Sequence, residues 1–216
     1  MIVIYAPQIT NRIKYAFDLV LCQILGTSIR LTSDISEFYQ HKGAKINYSD
    51  TDLDASIKFT PAGLLAEKEI VNIEIDYTEK EGVPGFFQVQ DGAFSFDPFA
   101  AAFYLVTRYE EYINNKRDHY QRFIPQESVA YKNGFLKKPV VNIWALKIQE
   151  MIEQKYPDYQ FPQRKYKFIT TIDVDNAYAY LEKGFVRTLG AIARSLLQLN
   201  LGDLVKRIKC LINIEK

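Results

Sequence analysis

The sequence predicts an α/β protein in two parts: a mixed-sheet domain over residues 1–160 and a second unit that starts at residue 165. Three observations lead there. Short β-branched runs alternate with segments of helical period along residues 1–155. Residues 156–163, YPDYQFPQ, hold two prolines and neither a helical nor a strand period, which is the composition of a linker. After it comes KYKFITTIDVDNAYAY, in which an apolar run of buried-strand length, Phe168–Ile172, ends at two carboxylates, Asp173 and Asp175.

Taken in order, Ile2–Tyr5 reads as a first strand, ended by Ala6 and Pro7. Asn11 is placed to cap a helix over Arg12–Leu25, where Ile13, Ala16, Phe17, Val20 and Ile24 recur at helical spacing, and Gly26 is a C-terminal stop. Ser28–Leu31, Glu37–Tyr39, Ala44–Tyr48 and Ala55–Phe59 read as short strands with polar connectors. Pro61-Ala-Gly63 breaks the pattern. Val71–Tyr77, VNIEIDY, alternates apolar and polar residues and is the clearest half-buried strand. Thr78–Gly85 is a charged turn region, and Phe86–Val89 reads as another strand.

Asp97 is a good N-cap, and Pro98 falls at the first helical position, where its missing N–H costs nothing. From Phe99 to Val106 the helix is apolar all round, so it belongs in the middle of a domain. Its end is polar. Arg108 and Glu111 are three apart and pair on one face, and Glu110 lies between them. This end reads as a salt-bridged terminus of a core helix rather than a binding site, since surface charge pairs are common and weak.

Asn114–Arg122 is a polar loop whose His119 reads as solvent-facing. Ala130–Leu136 follows, with a turn at Asn133-Gly134. Val140–Gln154 reads as an amphipathic helix that holds the only tryptophan, Trp144. Beyond Asp175, Phe185–Leu199 is helical, with Val186, Leu189, Ile192, Ala193, Leu196 and Leu197 as its expected buried stripe. Gly202-Asp203 opens a last helix, Leu204–Leu211. One strand and two helices cannot bury a core, and this piece of about 50 residues has no staple.

Composition narrows the functional classes. The net charge is +1, with lysine and arginine scattered among acids, so no basic face marks a nucleic-acid partner. No apolar run approaches the ~20 residues of a membrane span, and the N-terminus lacks the pattern of a signal peptide, so a cytoplasmic location is expected. Cys22 and Cys210 form no metal or redox motif and read as reduced core thiols. The 15 tyrosines and 14 phenylalanines suit a carbohydrate-handling protein and an aromatic core equally.

The acid pair is the strongest chemical signal. Alternate residues of a strand project from the same face, so Asp173 and Asp175 would stand together. Two acids at the C-terminal lip of a strand can share a metal ion, or one can hold the metal while the other takes a proton. In α/β folds that lip is where active sites are built. The alternative is a solvated loop with two turn-forming aspartates, helped by Asn176.

Four segments together, DPFAAAFYLVTRYEEY (97–112), DHYQRF (118–123), YKNGFLKKPVVNIWA (131–145) and TTIDVDNAYAYLEKGFVR (170–187), resemble bacterial polysaccharide deacetylase-family proteins of the Bacteroidetes type. The resemblance implies an α/β accessory region followed by a NodB-homology hydrolase domain. The fold expected is thus a mixed-sheet N-terminal domain, then the first strand and helices of a truncated (β/α) deacetylase barrel. By similarity Asp173 matches the general base and Asp175 the metal-binding acid. A divalent ion, commonly zinc, would polarise the acetamide carbonyl of an N-acetylated glycan and the bound water, whose proton Asp173 would take. The family's two metal histidines lie four apart on a later segment, whereas His41 and His119 both precede the acid pair. A barrel needs on the order of 200 residues, so the chain is expected to be the N-terminal portion of a longer protein, inactive alone. Three other readings fit the same residues. One is a haloacid-dehalogenase-like phosphatase with Asp173 as nucleophile, Asp175 as acid/base and Mg²⁺. Another is a nucleotide-sugar glycosyltransferase, and the third a non-catalytic accessory domain.

Overall fold

A computed structural model describes every residue except 55, 81, 164, 175–183, 200 and 213–216, and every described side chain except those of Leu201 and Leu204. Two compact units divide the chain, Met1–Lys165 and Tyr166–Lys216.

The first unit is mixed α/β. Its central strand β1 (Ile2–Tyr5) pairs in parallel with β2 (Ile29–Thr32), Ile2 opposite Ile29, and with β3 (Lys45–Asn47), Val3 opposite Lys45. β4 (Ile57–Lys58) extends the sheet beside β3, giving the order β2-β1-β3-β4. Strand β1 is apolar throughout because both of its faces are covered. Ile2 and Ile4 enter the main core, while Val3 packs with Phe38 and Leu53 on the other side.

Helix α1 (Asn11–Phe17) starts one residue earlier than its sequence suggests. Its cap is Thr10, whose hydroxyl accepts from the Ile13 N–H at 3.1 Å and donates to the Leu65 carbonyl at 2.6 Å. The helix continues as a π-helical stretch, Asp18–Ile24, and the chain turns at Gly26 with φ +73°. Residues 37–39 are not a strand as expected. They lie in helix α2 (Ile35–Gln40), whose cap Asp34 accepts from the N–H groups of Ser36 and Glu37 and outweighs the strand preference of Phe38 and Tyr39.

Val71–Tyr77 also departs from its predicted strand. Its burial alternates, with Ile73, Ile75 and Tyr77 against the core, but it joins no sheet. Its first residue is tied instead to one side chain: the Val71 N–H donates to the Tyr109 hydroxyl at 2.8 Å, and that hydroxyl lies 3.2 Å from the Val71 carbonyl. The expected turn region forms a small antiparallel pair, β5 (Thr78–Lys80) with β6 (Val83–Gly85). The ring of Phe96 lies over Gly85, where an added Cβ would come within 2.6 Å of it, so only glycine fits. Of the strand expected over Phe86–Val89, one bridge between Gln88 and Phe96 forms.

Helix α3 (Pro98–Val106) is the apolar core helix the sequence predicts, capped by Asp97. Phe99 stacks on Phe17 at 3.8 Å between ring centres and meets Tyr48 and Phe59 edge-on. The helix ends at Arg108, a non-glycine residue with φ +54°, and α4 (Glu110–Ile113) follows. Arg108 and Glu111 pair as their spacing suggests. Residues 114–128, with a short helical turn at Pro125–Glu127, lead to α5 (Val129–Lys132) and then to α6 (Val140–Lys155), whose Trp144 donates to the Pro84 carbonyl at 2.8 Å.

Residues 156–163 are a strap laid on this unit rather than a free linker. The Tyr156 hydroxyl donates to the Lys45 carbonyl at 3.2 Å, the Tyr159 hydroxyl bonds that of Thr27, and Tyr159 and Phe161 pack against the core.

In the second unit, residues 166–174 have no regular secondary structure, so the expected strand over Phe168–Ile172 is absent. Helices α7 (Phe185–Leu197) and α8 (Leu201–Leu211) follow. The Ser195 hydroxyl donates to Asp203 at 2.8 Å, and Arg207 reaches the same carboxylate at 3.1 Å. Most of the stripe expected to be buried is not: Val186, Leu189, Ala193, Leu196 and Leu197 are exposed and Ile192 is half-buried, because this unit's described residues provide no layer to cover them. No (β/α) barrel is formed among the described residues, and none of their helices is long and apolar enough to cross a membrane. Cys22 and Cys210 are free but only half-buried, and burial pushes the Cys22 thiol up.

Candidate functional site

Asp173 is exposed, in a stretch without strand geometry. Asp175 lies outside the described residues. The juxtaposition that would make the pair a site therefore rests on Asp175 and its surroundings. No group of three histidine, cysteine, aspartate or glutamate side chains suited to a metal occurs among the described residues. His119 is exposed, its ring against that of Tyr120, and the Nε2 of His41 has no partner among the described residues; burial, helped by the Lys45 charge, holds the His41 pKa down. The described side chains thus do not fit a zinc site.

Two places near α3 in the first unit bring polar groups together. The first is Asp97. It is fully buried, and four donors converge on it: the Tyr48 hydroxyl at 2.6 Å, and the N–H groups of Ala62 at 3.0 Å, Phe99 at 3.1 Å and Ala100 at 3.0 Å. Burial pushes its carboxyl up, against the pull of these donors, and the same burial and the adjacent carboxylate push the Tyr48 phenol well up. Every acceptor site used here is matched by a protein donor, which makes Asp97 a structural hub joining β3, α3 and the loop at Ala62.

The second place is a cavity of about 240 Å³ at the end of α3. Tyr104 of α3, Glu110 and Ile113 of α4, and Lys132 of α5 line it, with Tyr77 and Glu127 from the segments between. The left-handed residue Arg108 separates α3 from α4 and starts the new helix that carries Glu110. One Glu110 oxygen accepts the Val129 N–H at 2.8 Å, joining α4 to α5. Burial pushes the Glu110 carboxyl up and the Tyr104 phenol up, the latter helped by the Glu110 charge. Glu127 behaves in the opposite way. Lys116 at 2.7 Å and Lys132 at 2.9 Å hold it down at about 2. The Tyr77 ring stacks on Phe135, its hydroxyl donates to Glu79 at 2.8 Å, and its phenol is pushed up to about 12, first by burial.

This cavity joins two stretches that the sequence shows only separately, the polar end of the core helix and the segment around YKNG. The one local signal is an acid, Glu110, set within a run of tyrosines at the end of an apolar helix. Nothing in the chain's order announces that Lys132 and Glu127 face it.

A family model described as a family of unknown function (DUF7033) matches residues 2–157. No curated protein and no solved structure matches the chain.

Proposed function

The chain belongs to the family of unknown function DUF7033, and with that as premise we propose that it is the N-terminal portion of a metal-dependent deacetylase-like hydrolase acting on an N-acetylated glycan. On this reading residues 1–160 form an accessory domain and residues 165–216 begin the catalytic barrel. Asp173 is the general base and Asp175 the metal-binding acid. On the same reading the remaining ligands of a zinc-like ion lie outside these 216 residues.

One observation supports the reading beyond the sequence motifs. The run before Asp173 is apolar yet bare, with Phe168 74%, Ile169 65% and Ile172 81% exposed. Fully burying three such side chains contributes roughly 5–9 kcal/mol. A segment of that composition belongs between two covering layers, as the first strand of a barrel does.

The test has two arms. In the reading frame downstream of Lys216, a His-x-x-x-His segment within roughly the next hundred codons is expected, whereas a lysine followed by an acid pair would point to the phosphatase instead. At the bench, the protein encoded by the whole frame is expected to release acetate from an N-acetylated glycan with Zn²⁺ or another divalent ion. Asp173→Asn is expected to abolish that release, and full activity in the variant would remove Asp173 from the chemistry.

A second reading, in which residues 1–160 are a binding domain without catalysis, is favoured by the polar cavity at the end of α3.

A further inference from the structure

We infer that the cavity walled by α3, α4 and α5 is a binding site for a small neutral polyol, about the size of one sugar ring. Its volume of about 240 Å³ falls below the ~300 Å³ at which pockets for drug-sized ligands begin, so one ring with its substituents fills it.

The charges select a neutral ligand. Glu127 is already paired with Lys116 and Lys132, so among the described lining residues no cation without an acid partner is left to attract a phosphate or carboxylate. A cationic ligand would stand against the Lys132 ammonium. What remains for a ligand is a set of groups that hydroxyls satisfy. The second Glu110 oxygen and the Tyr104 hydroxyl make no hydrogen bond among the described residues, and the Asn133 amide, whose N–H donates to the Val129 carbonyl at 2.9 Å, keeps its carbonyl. A carboxylate and an amide carbonyl need donors, and a phenol both gives and takes. Each hydroxyl of a polyol can do both, which an ammonium or a fully ionised phosphate cannot. The Tyr77 ring, held flat by its stack on Phe135, and the side chains of Ile75 and Ile113 offer apolar wall to the C–H faces of such a ring.

The site is built from residues of the first unit alone, and the inference does not rest on the role given to Asp173 and Asp175. Saturation-transfer NMR on the chain of residues 1–216 tests it with glucose, N-acetylglucosamine and myo-inositol as neutral probes, against glucosamine and glucose 6-phosphate. Transfer from the protein to at least one neutral probe is expected, with a Kd on the order of 1 mM for so few atoms, and none to the charged pair. Tyr104→Phe removes one partner, and Glu110→Gln exchanges a charged acceptor for a weaker neutral amide donor; each is expected to weaken binding about fivefold. Asp173→Asn is expected to leave it unchanged. Should Tyr104→Phe fail to fold, as judged by Trp144 fluorescence, Glu110→Gln decides alone, since it keeps the acceptor for Val129. Absence of transfer to every neutral probe, transfer confined to a charged one, unchanged affinity in the folded variants, or loss of binding in Asp173→Asn would each overturn the assignment.

Discussion

The two units use the same kinds of residue to opposite effect. In the first, Ile2 and Ile4 of β1 are wholly buried between helices and sheet. In the second, Phe168, Ile169 and Ile172 are largely bare, and α7 and α8 hold much of their apolar surface outward. Apolar content alone therefore does not make a core. A strand becomes a strand when a neighbour takes its backbone groups and a layer covers its face. β1 has β2 and β3 at its sides, while Phe168–Ile172 has neither among the described residues of its unit.

The largest test of that contrast is to separate the units. Residues 1–165 alone are expected to unfold in one cooperative transition, followed by Trp144 fluorescence, at the melting temperature that probe reports in the whole chain. Residues 166–216 alone are expected to show none by calorimetry. A broad transition in the first piece, or a sharp one in the second, would break the comparison. The next test is a pair of like substitutions. Phe99→Ala removes a ring stacked on Phe17 at 3.8 Å and is expected to cost about 3–5 kcal/mol in denaturant unfolding. Phe168→Ala, at an exposed position, is expected to stay within about 0.5 kcal/mol.

The same contrast explains what the sequence could tell. The N-cap Asp97 and the apolar face that follows it were legible because cap and helix are contiguous, and the structure keeps both. β1, β2 and β3 were legible from short β-branched runs. Glu37–Tyr39 misled because the Asp34 cap decides between helix and strand there, and its two hydrogen bonds are local but easily passed over. Val71–Tyr77 shows the limit more sharply. Its period reports which side chains are covered, and that is correct, but not what its backbone bonds, which is the hydroxyl of Tyr109, 38 residues away. The cavity has the same origin. Glu110 meets Val129 across 19 residues, and no periodicity encodes a meeting of that kind. The acid pair was legible as a pattern, but its geometry depends on Asp175, which lies outside the described residues.

Two smaller effects ask how much of the first unit's stability is charge rather than packing. Asp97→Asn keeps the shape but sets an amide N–H₂ against the Tyr48 hydroxyl or the backbone donors, at an expected cost of about 1–3 kcal/mol. Because burial raises the folded-state pKa of Asp97 above its ordinary 3.8, the native state holds this proton more tightly than the unfolded chain. Its contribution is then fully present below that ordinary value and is lost as pH rises through the raised one. Asp97→Asn is expected to flatten that decline in Tm with rising pH.

Glu127 should give the smallest effect, with the opposite sign. Its folded-state pKa is depressed from 4.5 to about 2 by Lys116 and Lys132, so its contribution is present above the ordinary value and fades as pH falls toward 2. Glu127→Gln is expected to remove only that acid-side slope, and added salt should shrink the difference from the parent chain, because the pair is solvent-screened. A salt-independent loss of the size expected for Asp97→Asn would mean that Glu127 is clamped into the wall of the cavity rather than held at its rim, and the cavity would then belong to the packed core of the first unit, which the described residues of the second lack.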